Sequence, residues 1–130
     1  MIQQLIHITL LVHDYDSAIS FYTRKLNFKI VEDTVISESK RWVLIAPPGK
    51  QGCCLLLAKA VGDEQISRVG NQTGGRVFMF FNTDDFECDF QNLKSNGVHI
   101  IREPSTESYG TVAVFADLYG NLFDLIGPLI

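Results

Sequence analysis

The stretch LIHITLLVHDYDSAISFY, residues 5–22, decides the fold of this chain because its pattern returns further along the sequence. Asp14 can be laid over Asp85, a shift of 71 positions, and the same shift aligns the positions on either side. The other matched pairs are Val12 with Thr83, Tyr15 with Phe86, Ile19 with Phe90, and Tyr22 with Leu93. An internal repeat of this kind predicts two copies of one supersecondary unit.

The first copy contains a predicted helix that starts after Asp14. The Asp14 carboxylate can accept hydrogen bonds from the free N–H groups at a helix start, so Asp14 is a candidate N-cap. Ile19, Tyr22 and Leu26 follow at helical spacing and give the predicted helix one apolar face.

The second copy contains a similar helix with its own start and stop signals. Asp84, with Glu87 three residues later, resembles a capping box. The apolar face is formed by Phe86, Phe90 and Leu93. The pair Asn96-Gly97 ends the helix, because glycine adopts the left-handed cap conformation easily.

Three strand candidates follow each helix. In the first copy they are FKIVED (28–33), RWVLIA (41–46) and CLLLA (54–58), with the turn sequence PPGKQG before the last. In the second copy they are VHIIRE (98–103), TVAVFA (111–116) and NLFDLI (121–126). Each copy therefore reads β-α-β-β-β. Module one covers about 1–58, a linker about 59–75, and module two about 76–130.

The pattern predicts an α+β fold, with 1–130 forming a single domain. One such module leaves a sheet face uncovered, so we expect the two sheets to form an open, barrel-like surface or to exchange halves across a homodimer.

Charge and cysteine content narrow the functional classes. The net charge is −4 with scattered basic residues, which predicts no nucleic-acid partner. No apolar run is long enough to span a bilayer, and the MIQQL start lacks the features of a signal peptide, so we expect a cytoplasmic protein without a membrane partner. The three cysteines lack CxxC spacing and are expected to be reduced thiols.

His7 lies in an apolar run, and strand alternation predicts its surroundings. Ile8, Leu10 and Val12 share the face expected to carry the helix, so His7 and Thr9 point to the opposite, concave face. A histidine there has three interpretations: a polar group lining a pocket, a core histidine with a satisfied hydrogen bond, or a metal ligand.

The same alternation applies to the second copy. Phe78, Phe80 and Asn82 are expected on the concave face. In the last strand, Asp124 lies between Phe123 and Leu125, and a carboxylate buried there would need a partner.

The segments HITLLVHDYDSAISFYTRKLNFKIVED (7–33) and GTVAVFADLYGNLFDLIGP (110–128) resemble the start and end of the vicinal oxygen chelate superfamily, the glyoxalase/bleomycin resistance/extradiol dioxygenase group. The elements V-x-D-x-x-x-A-x-x-F-Y (12–22) and D-x-x-G-N (117–121) carry the resemblance. It implies paired β-α-β-β-β modules and a homodimer with cavities between modules.

The resemblance also implies where metal ligands would come from, namely the first and last strands of each module. Those positions fall on His7, on Leu55 or Leu56, on Phe78 and on Asp124. Only His7 and Asp124 carry a donor, and one imidazole with one carboxylate should bind a divalent ion weakly. We therefore expect no metal cofactor, with a divalent metal as the open alternative if a loop donor completes the site. Candidate loop donors are His99, Glu103 and Glu107.

Three functions remain open. The first is a homodimeric protein that binds a small aromatic or hydrophobic molecule, with His7 as a polar contact. Its predicted cavity-lining residues are Thr9, Trp42, Phe78, Phe80, Asn82, Tyr109 and Asp124. The second is a glyoxalase-type lyase, isomerase or dioxygenase, with His7 as the catalytic acid or base, or with His7 and Asp124 holding a metal. The third is a scaffold whose cavity has closed and whose aromatic residues only fill a core.

Overall fold

A computed structural model describes residues 1–49 and 52–128. The chain divides into two compact units, Met1–Val69 and Gly70–Ile130. Within the described residues, no helix has both the length and the apolar character needed to cross a bilayer.

The first unit contains six elements. They are β1 (His7–Val12), α1 (Tyr15–Lys25), β2 (Lys29–Val35), β3 (Arg41–Ala46), β4 (Cys54–Lys59) and α2 (Gly62–Arg68). The strands form one sheet in the order β1-β4-β3-β2, with β1 and β4 parallel. The predicted turn between β3 and β4 includes Lys50 and Gln51, which lie outside the described residues.

The second unit contains five elements. They are β5 (Val77–Asn82), α3 (Phe86–Ser95), β6 (His99–Glu107), β7 (Gly110–Ala116) and β8 (Leu122–Gly127). The sheet order β5-β8-β7-β6 repeats that of the first unit, with β5 and β8 parallel. The α+β fold with two β-α-β-β-β modules is confirmed. Each sheet is open and has four strands, while the barrel-like surface and the homodimer stay predictions.

Helix α1 starts where the sequence predicted. The side chain of Asp14 accepts a hydrogen bond from the Ser17 backbone N–H at 2.8 Å. Hydrogen bonds from the Ser17 side chain and, second, from its backbone N–H lower the pKa of the Asp14 carboxyl. The buried face differs in part from the prediction: Tyr15 and Ala18 join Tyr22 on it, whereas Ile19 is only half-buried.

Helix α3 corrects the predicted capping box. Its N-cap is Asp85, whose carboxylate accepts from the Cys88 N–H at 3.1 Å, so the assignment to Asp84 was wrong by one residue. Glu87 instead accepts a hydrogen bond from the Gln91 side chain one turn later. Phe86, Phe90 and Leu93 form the buried face, as predicted, and Gly97 follows in the left-handed conformation with φ 76°.

The segment interpreted as a linker at about 59–75 has structure of its own. Its first residue, Lys59, ends β4, and α2 occupies Gly62–Arg68 and contacts β1. The boundary between the two compact units falls after Val69, inside this segment. Helix α2 is not predictable from apolar periodicity, because none of its residues is buried and it lacks an apolar face.

The core of each unit lies between its helix and one face of its sheet. In the first unit, Leu10, Val12, Val43 and Ile45 are fully buried. In the second, Phe123 packs edge to face with Phe81 and Phe115, each at 5.4 Å between ring centroids. The opposite face of each sheet therefore carries the polar candidates.

The D-x-x-G-N element that carries the family resemblance forms the β7–β8 hairpin. The Asp117 carboxylate accepts hydrogen bonds from the backbone N–H groups of Tyr119 and Asn121, each at 2.9 Å, and from the Asn121 amide at 2.8 Å. Gly120 takes a positive φ of 98° to close the turn. The Asp117 carboxylate is therefore a structural element of the turn, whereas the buried Asn121 Oδ1 has no hydrogen-bond partner among the described residues.

Candidate functional site

His7 and Trp42 lie close together on one face of the first sheet. Their ring centroids are 6.3 Å apart with the planes at 72°, an edge-to-face arrangement. The Nδ1 atom of His7 donates a hydrogen bond to the Ile6 carbonyl oxygen at 2.6 Å, because a carbonyl can only accept. This bond fixes the tautomer in which Nε2 is the free acceptor of the neutral ring. His7 thus presents Nε2 beside an indole.

Trp42 lies next to a residue that is firmly held. The Arg41 guanidinium contacts Asp33 on β2 at 2.7 Å and Asp16 on α1 at 2.8 Å, and lies 5.2 Å from the Tyr15 ring centroid. The two carboxylates raise the pKa of Arg41. Neighbouring strand residues point to opposite faces, so Arg41 and Trp42 lie on opposite faces of the sheet. The Arg41 contacts therefore fix the β3 backbone on the face opposite Trp42.

Thr9 lies on the same sheet face as His7, one alternation further along β1. It is exposed and pairs in register with Leu56 of β4, which pairs with Leu44 of β3. Leu56, rather than Leu55, therefore lies on the His7 face of β4, as does Cys54, the register partner of His7. The sheet surface between His7 and Trp42 is therefore apolar at Leu56 and Leu44.

The second sheet brings Phe80 and Asp124 side by side. They are register partners in the parallel pair β5–β8, so their side chains share one face. The same row continues to Val114 on β7 and Arg102 on β6. Phe80 is 63% exposed whereas Asp124 is only 9% exposed. An accessible aromatic ring therefore borders a largely buried acidic residue.

Burial raises the pKa of Asp124, and the charge of Arg102 opposes this effect. Within the described part of the chain, no side chain or backbone group donates a hydrogen bond to the Asp124 carboxylate. Arg102 itself lies 3.7 Å from Glu107. Asp124 thus lies on the same sheet face as Phe80, and its carboxylate has no hydrogen-bond donor among the described residues.

The other predicted cavity residues of the second unit differ in their exposure and in their position along the strands. Asn82 is exposed at the end of β5. Phe78 is half-buried at a β-bulge between Val77 and Met79, which puts it out of the regular alternation. Tyr109 is 63% exposed in the turn between β6 and β7. Their shared role in one cavity stays a prediction.

The donor set does not fit the four-ligand metal arrangement that the resemblance implies. Thr9–Leu56 and Phe80–Asp124 are equivalent register pairs, so Leu56 occupies the position of Asp124 in the first unit. Neither Leu56 nor Phe78 can coordinate an ion. Within residues 1–49 and 52–128, no group of three or more His, Cys, Asp or Glu side chains is placed to hold one. His7 and Asp124 belong to different units, and their joint action stays a prediction.

Two residues that are aligned with Asp124 across the second sheet, Val114 and Arg102, were not predicted from the sequence. The prediction followed single strands and did not pair β6 with β7. Two register shifts in that pair, between Ile100 and Arg102 and between Arg102 and Ser105, break the simple alternation. Only the register of the folded sheet places Arg102 in line with Asp124 across β7, and the charge of Arg102 acts on the Asp124 carboxyl.

The paired β-α-β-β-β modules, with polar groups on the sheet faces opposite the helices, define a protein of the glyoxalase type. A family model described as Glyoxalase/Bleomycin resistance protein/Dioxygenase superfamily matches residues 4–125. The chain belongs to this superfamily.

Relatives and solved structures agree with this assignment. An uncharacterized protein of Shewanella frigidimarina is 54% identical over 127 residues, which cover 97% of this chain and 94% of that protein. The crystal structure of UcmS2 superposes with a TM-score of 0.84 at 30% identity, covering 97% of this chain and 98% of that one. TnmS3, described as an antibiotic binding protein from Streptomyces sp. CB03234, superposes with a TM-score of 0.79 at 26% identity, covering 98% and 97%.

Proposed function

We propose that this protein binds a small, partly aromatic or hydrophobic molecule, without the full metal site of the family's metal-dependent members. His7 acts as a polar contact for the ligand. The proposed cavity-lining residues are Thr9, Trp42, Phe78, Phe80, Asn82, Tyr109 and Asp124.

The observation that carries this proposal is the pairing of an aromatic ring with a polar group on each sheet. His7 presents Nε2 beside Trp42, and Asp124 lies beside the exposed ring of Phe80. Binding sites for small molecules combine apolar and aromatic walls with a few polar groups that orient the ligand. The similarity to TnmS3, whose description names antibiotic binding, supports the same reading.

We also propose a homodimer in the cytoplasm. Strand β2 is an edge strand that is exposed along its whole length, including Ile30, Val31 and Val35. Exposed apolar edge strands favour pairing with another chain. Sedimentation equilibrium tests the state: a single species of twice the chain mass supports the dimer, and a concentration-independent monomer contradicts it.

Calorimetric titration of the EDTA-treated protein with planar aromatic compounds tests the binding function. We expect saturable binding with one site per chain. Trp42→Leu and His7→Ala should each weaken it about tenfold or more, because each removes a wall or an orienting contact of about 1.4 kcal/mol or more. His13→Ala, an exposed histidine in the same unit, is the matched control and should bind normally.

A metal-free enzyme is the second candidate, and one contact favours it. Because Nδ1 of His7 donates to the Ile6 carbonyl, Nε2 is available to accept a proton from a bound substrate. Turnover of a bound compound that His7→Gln abolishes, with binding preserved, would support the enzyme. Binding without turnover across the panel favours the first candidate.

A further inference from the structure

We propose that Asp124 recognises a basic nitrogen, so that the ligand is an aromatic compound carrying a protonated amine whose charge lies between the Asp124 carboxylate and the Phe80 ring. This inference rests on the proposed binding function and names the class of its ligand. It concerns only the Phe80–Asp124 face of the second unit.

The carboxylate of Asp124 is the first part of the proposed site. Asp124 is only 9% exposed as a residue, yet its carboxylate oxygens still reach solvent on this sheet face. No donor within the described residues forms a hydrogen bond with them. A donor supplied by a ligand would satisfy this group, and a cationic donor would do so most strongly, since hydrogen bonds between charged partners are about twice as strong as neutral ones.

The exposed ring of Phe80 is the second, independent step. Large aromatic side chains on a sheet face normally pack against something, yet Phe80 is 63% exposed while its neighbour Phe81 packs into the core. The face of an aromatic ring attracts a cation within about 6 Å of its centre. Phe80 and Asp124 are register partners, so a single ammonium group can contact both.

Arg102 does not replace the ligand. Arg102 lies on β6, two strands away from Asp124 on β8, which is about 10 Å at the usual strand spacing. Its guanidinium lies 3.7 Å from Glu107 and is mostly exposed. The net charge of −4 further favours a cationic ligand over an anionic one.

A matched pair of compounds isolates the charge. We would titrate the full-length, EDTA-treated protein with 2-naphthylmethylamine and with 2-naphthylmethanol near neutral pH, by calorimetry. The amine should bind about tenfold or more tightly than the alcohol, as expected for one charge-assisted hydrogen bond. Asp124→Asn should reduce that preference to about twofold or less, and Phe80→Leu should weaken the amine more than the alcohol.

Asp84→Asn is the control for general electrostatics, because it removes the same charge from an exposed position just before α3. It should keep the full preference for the amine. Circular dichroism of each variant checks that it is folded. If either Asp124→Asn or Phe80→Leu fails to fold, the other variant still tests the proposal.

The outcomes separate the inference from the function on which it rests. Equal affinity for the amine and the alcohol overturns the amine recognition but leaves small-molecule binding in place. A preference that survives Asp124→Asn, or that develops only after Zn²⁺ is added, also overturns it. No binding of the amine overturns the inference, whereas the proposed function is overturned only if no compound in the panel of planar aromatic compounds binds.

Discussion

Phe80 and Asp124 are directly paired across the parallel strands β5 and β8, so an exposed ring and a largely buried acidic residue share one face of the second sheet. Folding alone does not favour either placement, because an exposed phenylalanine loses apolar burial and partial burial disfavours the charged form of Asp124. Both placements are reasonable in a site that awaits a ligand, where stability is commonly given up for function.

Asp124→Asn should therefore stabilise the protein. Burial raises the pKa of Asp124, so the folded state binds this proton more tightly than the unfolded state. Stability must then fall as the pH rises from the ordinary carboxyl range through the raised pKa, and the loss is complete once the pH is well above that pKa. We expect Asp124→Asn to gain about 1 kcal/mol at neutral pH, a typical gain at such positions, and to gain little in strong acid. Urea denaturation at several pH values measures this, and a neutral-pH loss of stability would contradict it.

Phe80→Ala and Phe81→Ala should differ sharply, although the residues are adjacent. Phe81 contacts the rings of Phe115 and Phe123 at 6.1 and 5.4 Å, so its removal should cost about 2–3 kcal/mol. Phe80 is 63% exposed, and its removal should change the free energy of unfolding by less than about 0.5 kcal/mol. Chemical denaturation of the two variants checks the order. Equal losses would show that Phe80 is a core residue and not a ligand contact.

The start of α3 gives a matched pair of carboxylates. Asp85 accepts the capping hydrogen bond from Cys88, so Asp85→Ala should cost about 1 kcal/mol. Asp84 lies one residue earlier and should tolerate alanine within about 0.5 kcal/mol. Thermal unfolding of both variants in the same buffer compares their stabilities. A larger loss of stability in Asp84→Ala would show that Asp84 is the N-cap.

Asp117→Ala should destabilise the protein without altering ligand selectivity. The carboxylate is 5% exposed and accepts bonds from Tyr119 and from the backbone and side chain of Asn121. Leaving these donors unpaired should cost about 3 kcal/mol or more. The free energy of unfolding and the amine-to-alcohol affinity ratio measure the two effects. An unchanged stability would assign the motif a role other than the hairpin.

Much of this fold could be predicted from the repeat. The shift that aligns Asp14 with Asp85 is confirmed, since both residues are N-caps. The capping-box signal chose Asp84 because an acidic pair offers two candidates and local spacing does not separate them. Helix α2 was missed because it buries no residue, so it has no apolar periodicity to detect.

The candidate site was predictable in part. Strand alternation correctly predicted that His7 and Thr9 lie on the same sheet face. The edge-to-face contact between His7 and Trp42 shows that Trp42 of β3 lies near them. The bulge at Phe78 could not be read from sequence, because it changes the pairing and not the composition. The hairpin gap before β4 hid the equivalence of Leu56 and Asp124, which only the strand register reveals.

Fluorescence of the single tryptophan is the most direct test of small-molecule binding. Trp42 is half-buried beside His7, so a ligand on this face should change its emission. We predict saturable quenching of the EDTA-treated protein by at least one planar aromatic compound, with one equivalent bound per chain and a weaker affinity in His7→Ala. If no compound changes the emission or binds by calorimetry, or if binding requires one equivalent of a divalent metal, the account is wrong.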